Sequence, residues 1–317
     1  MKVLVTGADG FVGRWLIRRL LDDGREVYGA VRPSEPQRED GLTADERAQV
    51  RWLPLEITDN ESVRRCLDLP YDAVVHLAAI ASGAAALRDP GAAWEVNAAG
   101  TARVMNVLAE ARRKDRADPV VLHVSTGEVY GRGQSVARKE TDTPAPCSPY
   151  AASKLGAEEA ALEAWRRSGL RVVVARAFAH TGPGQTTDFV IPAFAQRLKY
   201  AKQIGAPVVK VGNLEPIRDL LHVQDVADAY VRLLAHGHAG EVYNVASGKG
   251  TSLEDVLFRM AELLDVRPIP EADPQLMRPA DIPHLVGDSA KLRAATGWSP
   301  RRSFDDTLRD VLDAQKN

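Results

Sequence analysis

Residues 3–13 read VLVTGADGFVG, an apolar run that passes directly into three glycines spaced GxxGxxG. Residues 11–23 then carry apolar side chains at helical spacing, so this stretch predicts a strand, a tight turn and a helix. Gly7, Gly10 and Gly13 would let backbone amides approach a ligand at the helix start, where the helix dipole favours an anion such as a pyrophosphate. The position of the glycines favours a dinucleotide site over glycines that serve only a turn.

The first 180 residues alternate apolar strand-like runs with amphipathic segments. Strands are predicted at residues 3–6, 26–31, 50–53, 73–77, 120–125 and 171–175. Helices are predicted at residues 11–23, 60–69, 90–113 and 150–168. The strands are nearly continuous in Val, Leu and Ile, which is typical of strands buried on both faces of a parallel sheet. The predicted fold class is therefore α/β, with a doubly wound parallel sheet of the Rossmann type.

Beyond residue 178 the alternation decays and prolines and glycines become frequent. Helices are predicted near residues 223–234, 252–264 and 304–313, with irregular stretches between them. This pattern indicates a smaller mixed α/β C-terminal domain that packs against the sheet and forms a cleft with it. We assign residues 1–177 to the dinucleotide-binding domain, rejoined by about residues 218–240, and residues 178–317 mainly to the domain that binds the substrate.

Composition excludes several classes of protein. The 317 residues include 41 Lys+Arg and 43 Asp+Glu, a net charge of −2, which argues against a nucleic-acid or polybasic membrane-surface protein. No apolar run approaches the roughly 20 residues of a membrane span. The two cysteines, Cys66 and Cys147, supply neither a disulfide framework nor a zinc site, and no metal centre is predicted. We expect a cytoplasmic globular protein.

The residues that follow the second and third predicted strands indicate which cofactor binds and how it is held. Arg32 follows the second strand, about 20 residues after Gly13, where an NAD site usually has an acidic residue and an arginine accommodates a 2′-phosphate. Arg32 therefore favours NADPH, with NADH as the alternative, unless it is a surface arginine. Glu56 and Ile57, after the third strand, offer a carboxylate and a backbone amide that could hold the adenine, although an exposed acid explains Glu56 equally well.

Tyr150 and Lys154 form the pair that indicates the type of chemistry. At positions i and i+4 the phenol and the ammonium share one face of a predicted helix. A nearby lysine charge is expected to lower the tyrosine pKa, so that the phenol can exchange a proton with a sugar oxygen near neutral pH. Thr126 ends the strand that precedes this helix, where ligands bind in open α/β sheets, and could hydrogen-bond the same oxygen. A pair with this spacing on its own is usually a solvated helix face.

Taken together, these residues resemble the extended short-chain dehydrogenase/reductases, NAD(P)-dependent epimerases and dehydratases that act on nucleotide-activated sugars. The resemblance covers essentially the whole chain. It rests on the GxxGxxG of residues 7–13, the HLAA of residues 76–79, Asn97, the set Thr126, Tyr150 and Lys154, and Arg218-Asp219 followed by His222-Val223 and Asp225.

The resemblance implies a role for each member of this set. Tyr150 would be the general acid/base, Lys154 would lower its pKa and hold the nicotinamide ribose, and Thr126 would orient the substrate oxygen. His76 is interpreted as structural. The candidate cofactor-binding residues are Gly7, Gly10, Phe11, Val12, Gly13, Arg32, Glu56, Ile57, Leu77, Ala78, Ala79, Ser125, Tyr150, Lys154 and Ala177.

Three reactions share this scaffold, namely 4-epimerisation, 4,6-dehydration and 4-keto reduction, and all transfer a hydride at C4 of the sugar. Dehydration also needs a base for the C5 proton and an acid for the C6 hydroxyl. Related dehydratases have Asp-Glu or Ser-Glu after the threonine, whereas here Thr126 is followed by Gly127 and Glu128. Glu128 stays a catalytic candidate, but the loss of its polar neighbour weakens the case for dehydration.

The second half most resembles the reductases that convert GDP-4-keto-6-deoxy-D-mannose to GDP-D-rhamnose. The similar segments are TGPGQ at 181–185, FVIP at 189–192, KVGNLE at 210–215, YNVASG at 243–248 and RP at 278–279. Ala179 replaces an asparagine of the related pattern, which leaves the sugar open. The resemblance thus implies NADPH-dependent reduction of a GDP-4-keto-6-deoxyhexose, with a GDP-mannose 4,6-dehydratase or a sugar-nucleotide 4-epimerase as alternatives. The alternative of another class is a redox-sensing or scaffold protein that binds a dinucleotide on the same fold and does no chemistry.

Substrate-binding candidates lie in both halves of the chain. Arg218 and Arg278 are assigned to the diphosphate because a guanidinium offers paired donors with permanent charge, although surface or interdomain ion pairs would also account for them. The full set is Ser82, Thr126, His180, Val190, Lys210, Asn213, Arg218 and Arg278.

The resemblance also implies a homodimer, in which the helices at residues 90–113 and 150–168 form a four-helix bundle with those of a second copy. The second helix has an alanine-rich face that includes Ala157, Ala160, Ala161 and Ala164. That face would serve a contact within the chain equally well.

Overall fold

The computed structural model describes residues 1–33, 41–133, 135–277 and 282–315. In chain order its strands are β1 (Lys2–Thr6), β2 (Glu26–Val31), β3 (Arg51–Pro54), β4 (Ala73–His76), β5 (Val120–Thr126), β6 (Arg171–Ala177), β7 (His180–Thr181), β8 (Val208–Val211), β9 (Ile217–Asp219), β10 (Leu221–His222), β11 (Val242–Val245), β12 (Gly250–Ser252), β13 (Ile269–Ala272) and β14 (His284–Leu285).

The α-helices are α1 (Phe11–Asp22), α2 (Ala44–Ala48), α3 (Asn60–Cys66), α4 (Gly83–Arg88), α5 (Pro90–Trp94), α6 (Gly100–Arg113), α7 (Pro149–Ser168), α8 (Val190–Ile204), α9 (Val223–His236), α10 (Leu253–Leu263), α11 (Ala290–Thr296) and α12 (Phe304–Ala314). A π-helical turn at Glu95–Ala99 joins α5 to α6, and 3₁₀ turns lie at Gly127–Tyr130 and Pro274–Leu276. In the part of the chain that the structure describes, no helix is both long and apolar enough to cross a bilayer.

The central sheet has seven strands in the order β11-β6-β5-β4-β1-β2-β3, and every neighbouring pair is parallel. The order along the chain reverses between β1 and β4, so the crevice beyond their carboxyl ends is where a ligand is expected in such sheets. The predicted doubly wound parallel sheet is confirmed.

Two layers of helices cover this sheet. Helices α1, α9 and α11 pack on one face, with Leu16, Ile17 and Leu233 in a buried apolar cluster. Helices α3, α6 and α7 pack on the other face, where Val104 and Ala161 belong to a second cluster. The central strands are therefore buried on both sides, which explains their aliphatic runs, such as Val3–Val5 in β1 and Val172–Val174 in β6.

The last sheet strand, β11, is not among the predicted strands. Its sequence is VYNV, and Asn244 interrupts the apolar run that signals a buried strand. Inside the protein the Asn244 side chain is fully satisfied, because its Oδ1 accepts from the Tyr130 hydroxyl at 2.8 Å and its Nδ2 donates to the Arg138 carbonyl at 2.8 Å. Long-range hydrogen bonds thus make a polar residue acceptable at a buried strand position.

A second, smaller unit packs beside the carboxyl ends of the sheet. Helices α8, α10 and α12 share an apolar cluster that includes Phe194, Leu257 and Leu308. Short strand pairs accompany them, with β13 beside β8 and β9 between β12 and β14. The chain returns to the main sheet through α9, β11 and α11, which pack against α1 and β6.

Helix α7 begins at a defined position because its N-terminus is capped. The Ser148 hydroxyl accepts from the Ala151 amide at 3.1 Å, and Pro149 occupies the first helical position. Gly169, with φ of +71°, ends the helix in the left-handed conformation. The capped start places Tyr150 in the first turn, at the carboxyl end of β5.

Candidate active site

A cleft of about 700 Å³ lies at the carboxyl edge of the sheet, between the sheet and the smaller unit. Elements far apart in the chain line it, namely the glycine turn, the ends of β4, β5 and β6, the start of α7, and helix α8. The predicted site residues on its walls are Gly7, Gly10, Phe11, Val12, Gly13, Arg32, Ile57, Leu77, Ala78, Ala79, Ser82, Ser125, Thr126, Glu128, Tyr150, Lys154, Ala177, His180, Val190, Asn213 and Arg218.

Two predicted residues lie outside this cleft. Glu56 instead lines a neighbouring hollow of about 370 Å³, where its Oε1 accepts from the Thr58 hydroxyl at 2.8 Å and its Oε2 lies 3.8 Å from Arg32 Nε. Lys210 is two-thirds exposed, with Nζ 3.8 Å from Asp273 Oδ2. Both side chains contact a nearby residue instead of lining the cleft. Arg278 is outside the described residues.

The glycine turn needs glycine for two different reasons. Gly7 has φ of +66°, and a Cβ there would lie 3.0 Å from the Ala78 amide nitrogen. A Cβ on Gly13 would lie 2.4 Å from the Gly7 carbonyl oxygen. Helix α1 begins at Phe11, and Gly10 before it offers no side-chain cap, so the first amides of this helix are available to an anionic ligand. This cradle fits a dinucleotide pyrophosphate.

His76 binds the ends of β1 and β4 together beside this turn. Its Nδ1 lies 2.8 Å from the Thr6 hydroxyl, and its Nε2 lies 3.1 Å from that of Thr101. The Thr6 Oγ1 also accepts from the Ala78 amide at 3.1 Å. Burial, aided by the charge of Lys154, lowers the pKa of His76 to about 3, so the ring is neutral. His76 thus shapes the cleft wall at Ala78.

Thr126 and Tyr150 meet at the carboxyl end of β5, where the Thr126 side chain hydrogen-bonds the phenol. Burial raises the pKa of Tyr150 above its ordinary value, the Glu128 carboxylate raises it further, and the Thr126 hydrogen bond opposes both. The phenol is therefore neutral at physiological pH and holds a proton. This differs from the expected lowering by Lys154, because desolvation dominates at this depth.

Lys154 lies one helical turn beyond Tyr150 and is almost fully buried. Its Nζ donates to the Val124 carbonyl at 2.6 Å. Burial lowers the pKa of Lys154 to about 8, while the carboxylate of Glu158 raises it in opposition. The ammonium is therefore still charged at neutral pH, but it titrates much closer to neutrality than an exposed lysine.

The π-helical turn before α6 supports this catalytic helix. It directs the Asn97 side chain to Ile80, whose amide donates to Oδ1 at 2.8 Å, and to the Ser153 hydroxyl, 2.9 Å from Nδ2. Such turns interrupt α-helices at functional sites. Asn97 thus ties the cleft wall after β4 to α7, next to Lys154.

On the substrate side, Arg218 is held by the backbone of its own strand and by that of Ile282, two residues before β14. Its Nη1 donates to the carbonyls of Ile217 at 3.0 Å and Ile282 at 2.6 Å. Asp219, fully buried, accepts from the amides of Ser247 at 2.8 Å and Gly248 at 2.9 Å, which fixes strand β9. Arg218 therefore enters the cleft from a rigid support.

Sequence reasoning did not identify Arg197, Phe178 and Tyr230, which also line the cleft. Arg197, on α8, donates to the Lys210 carbonyl at 3.1 Å and adds a second positive charge near Asn213. In the sequence, Tyr230 and Phe178 are indistinguishable from ordinary aromatic residues of the core, because each lies in an apolar pattern. Only the tertiary fold shows that they lie at the ligand cleft.

Comparison with protein families gives one match over nearly the whole chain. The sequence model of the family described as GDP-mannose 4,6 dehydratase matches residues 4–311. The GDP-6-deoxy-D-mannose reductase of Pseudomonas aeruginosa is 36% identical over 315 residues, which are 98% of this chain and 96% of the relative. A dTDP-glucose 4,6-dehydratase of Salmonella typhimurium is 29% identical, over 99% and 92% of the two chains.

Solved structures are similar over the same length. RMD from Pseudomonas aeruginosa, complexed with NADPH, superposes with a TM-score of 0.82 at 33% identity, over 99% of this chain and 98% of that one. The UDP-glucose 4-epimerase of Thermus thermophilus, in complex with NAD, superposes with a TM-score of 0.85 at 30% identity over the same shares. Proteins named as a reductase, a dehydratase and an epimerase are thus similar to this chain over nearly its whole length.

Proposed function

The chain belongs to the GDP-mannose 4,6-dehydratase family of sugar-nucleotide enzymes, and from that membership we propose that it reduces the C4 keto group of a GDP-4-keto-6-deoxyhexose with NADPH. It is an NAD(P)-dependent oxidoreductase that acts on a nucleotide sugar. The reductase from Pseudomonas aeruginosa, 36% identical, supports reduction among the three reactions of the family.

The observation that carries the choice of reduction is the contact between Gly127 and Phe178. Dehydratases have Asp or Ser at the position after the catalytic threonine, and here that position is Gly127. A Cβ on Gly127 would lie 3.0 Å from three atoms of the Phe178 ring, which is buried. The carboxylate or hydroxyl that helps a dehydratase to expel the C6 hydroxyl is therefore missing here, and a side chain at this position would have to displace the Phe178 ring.

The protonation of Tyr150 agrees with the same direction of reaction. A reduction consumes one proton at the C4 oxygen, and the neutral phenol of Tyr150 carries that proton. Dehydration and epimerisation begin with oxidation at C4, for which the tyrosine has to start as a base. The neutral Tyr150 phenol can therefore act as the acid that keto reduction requires.

The roles of the chain's own groups follow from their positions. The glycine turn would hold the pyrophosphate, and the bound NADPH supplies a hydride to C4 of the sugar. Thr126 would hydrogen-bond the C4 oxygen and orient it, and Tyr150 would donate its proton to that oxygen as the alkoxide forms. Lys154, still charged at neutral pH, would stabilise the negative charge left on Tyr150.

We assign the preference for NADPH to Arg32. Its side chain lies on the cleft wall, beside the end of β2, with Nε 3.8 Å from Glu56 Oε2. A guanidinium at this point suits the ribose 2′-phosphate, whereas an NAD site usually presents a carboxylate to the 2′-hydroxyl. The NADPH in the Pseudomonas aeruginosa structure supports this preference.

The diphosphate of the sugar nucleotide is assigned to Arg218 and Arg197. Both line the cleft on the side of the smaller unit, near Asn213. Two guanidinium groups supply the paired donors and the positive charge that a diphosphate requires. Arg278, assigned to the diphosphate from the sequence together with Arg218, lies outside the described residues and remains a candidate. Lys210, a substrate-binding candidate from the sequence, has its Nζ 3.8 Å from Asp273 Oδ2 and does not line the cleft.

One experiment tests the reaction. The enzyme is given GDP-4-keto-6-deoxymannose and NADPH, the cofactor absorbance is followed, and the product is identified by mass spectrometry. We expect NADPH to be consumed with formation of a GDP-6-deoxyhexose, and Tyr150→Phe to lose at least about a hundredfold in rate. Conversion of GDP-mannose, or interconversion of C4 epimers without net use of NADPH, would instead identify a dehydratase or an epimerase.

We also propose that the chain forms a homodimer through α5, α6 and α7 and acts in the cytoplasm. Trp94 is 47% exposed on this face and packs over Gly156, where a Cβ would lie 2.7 Å from its ring. Ala157 and Ala161 are buried within the chain, so the exposed tryptophan supports the dimer better than they do. Light scattering should give a dimeric mass that Trp94→Arg reduces to that of a monomer.

A further inference from the structure

The hydroxyl of Tyr230 is a buried polar group that the proposed reaction does not use. The side chain, on α9, is fully buried and lines the cleft that contains Tyr150. Among the described residues its hydroxyl has no hydrogen-bond partner. A buried donor without a partner is uncommon in proteins, and when it borders a ligand cleft it indicates a contact that a ligand completes.

Other buried tyrosines of this chain have partners. The Tyr71 hydroxyl donates to the Cys66 carbonyl at 2.9 Å, and that of Tyr130 donates to Asn244 Oδ1 at 2.8 Å. The Tyr243 hydroxyl accepts from the His238 amide at 3.1 Å. Tyr230 differs from them in its place at the cleft, which points to a role for its hydroxyl outside the packing of the core.

Tyr230 and Tyr150 reach the cleft from opposite faces of the sheet. Tyr230 belongs to the apolar cluster of α1 and α9, together with Ala8 of the glycine turn and Ala177 at the end of β6. Tyr150 comes from α7 on the other face. The two phenols are close enough for Tyr150 to raise the pKa of Tyr230, although burial is the larger cause. Tyr230 therefore stays neutral and can donate a hydrogen bond.

We propose that the Tyr230 hydroxyl donates a hydrogen bond to an uncharged oxygen of the nicotinamide nucleoside half of the bound dinucleotide. The inference rests on the proposed function. The cofactor is favoured over the sugar because Tyr230 comes from the same face as the glycine turn, whereas Arg197, Asn213 and Arg218 approach from the smaller unit. Its apolar neighbours suit an amide or ribose oxygen rather than a phosphate.

The test compares two ligands on the variant Tyr230→Phe, which loses only the hydroxyl. NADPH contains the nicotinamide half, and adenosine 2′,5′-bisphosphate contains only the adenine half. We expect the Kd of NADPH, measured by titration calorimetry, to rise about 3- to 10-fold, and the Kd of the bisphosphate to stay unchanged. We expect the melting temperature of the free protein not to fall, since no hydrogen bond within the chain is lost.

The matched control is Tyr71→Phe, which removes a buried hydroxyl that has a partner and lies outside the cleft. It should lower the melting temperature and leave both Kd values unchanged. An unchanged NADPH Kd in Tyr230→Phe, or an equal weakening of both ligands, would overturn the contact. These measurements need no sugar substrate, so a wild-type protein that binds NADPH but fails to reduce the ketosugar would overturn the proposed reaction and leave the contact standing.

Discussion

Glu158 and Arg176 form a buried ion pair one helical turn beyond Lys154. The Arg176 Nη2 lies 2.8 Å from Glu158 Oε2, and only 6% and 1% of the two side chains are exposed. Ser125, at the end of β5, also donates to Glu158. Arg176 lies over the Tyr130 ring, with its Cζ 4.8 Å from the ring centre. The pair joins α7, β5 and β6 directly behind the catalytic lysine.

Removal of one member of this pair should be strongly destabilising. Glu158→Ala leaves the Arg176 charge buried without its partner, so we expect the free energy of unfolding to fall by about 3–5 kcal/mol, measured by urea denaturation. The neighbouring Glu159 is a matched control, because its pair with Arg166 is more than half exposed on both sides. Glu159→Ala should cost less than about 1 kcal/mol. Similar losses in the two variants would contradict this assignment.

The pH dependence of the reduction should report Lys154. Its pKa of about 8 means that the ammonium loses its proton as the pH rises through that value, so kcat/KM for the ketosugar should fall above about pH 8. The raised pKa of Tyr150 places the phenol above this range, and burial keeps His76 and His123 neutral. The alkaline limb therefore belongs to the lysine.

Variants of Glu158 and Lys154 test whether Lys154 is the group that titrates in the alkaline limb. The Glu158 carboxylate raises the pKa of Lys154, so Glu158→Gln should move the alkaline limb to lower pH in the protein that remains folded. Lys154→Arg keeps a charge at all accessible pH values, and its residual activity should show no such limb. A limb that stays in place in both variants would assign the titration to another group.

Arg32 should set the choice between the two nicotinamide cofactors. Arg32→Ser removes the charge assigned to the 2′-phosphate, so we expect the Kd of NADPH to rise about tenfold or more and that of NADH to change little. Arg51→Ser is the control, since Arg51 is a largely exposed arginine of β3 that pairs with Glu26 at 3.0 Å. Equal weakening of both cofactors in Arg32→Ser would exclude a 2′-phosphate contact.

The sequence predicts the features that depend on neighbouring residues, and it does not predict those that depend on long-range contacts. The glycine turn and the Tyr150–Lys154 spacing depend on neighbours within a few residues, so both are recognisable before the fold is known. Strand β11 is not recognisable from the sequence, because the residues that hydrogen-bond the buried Asn244 side chain are distant along the chain. The cleft position of Tyr230 depends on how α9 packs on the sheet, which periodicity alone does not describe.

The exclusion of dehydration by Phe178 can be tested with Gly127→Asp. Two glycines lie close to the Phe178 ring, since a Cβ on Gly127 would lie 3.0 Å from it and a Cβ on Gly287 would lie 2.6 Å from it. A side chain at position 127 therefore requires the buried Phe178 ring to shift by a few tenths of an ångström. We expect Gly127→Asp to lower the free energy of unfolding by about 1–3 kcal/mol and to form no 4-keto product from GDP-mannose and NADP⁺.

A double-mutant cycle between Gly127 and Phe178 and a control substitution at Gly83 complete this test. A smaller side chain in Phe178→Leu makes room, so the cost of Gly127→Asp should be smaller in that background, and the coupling measures the contact directly. Gly83→Asp is the matched control, because Gly83 lines the same cleft and a Cβ there meets nothing within 4 Å. It should leave stability nearly unchanged. If Gly127→Asp were as stable as Gly83→Asp and dehydrated GDP-mannose, the steric basis for reduction over dehydration would be wrong.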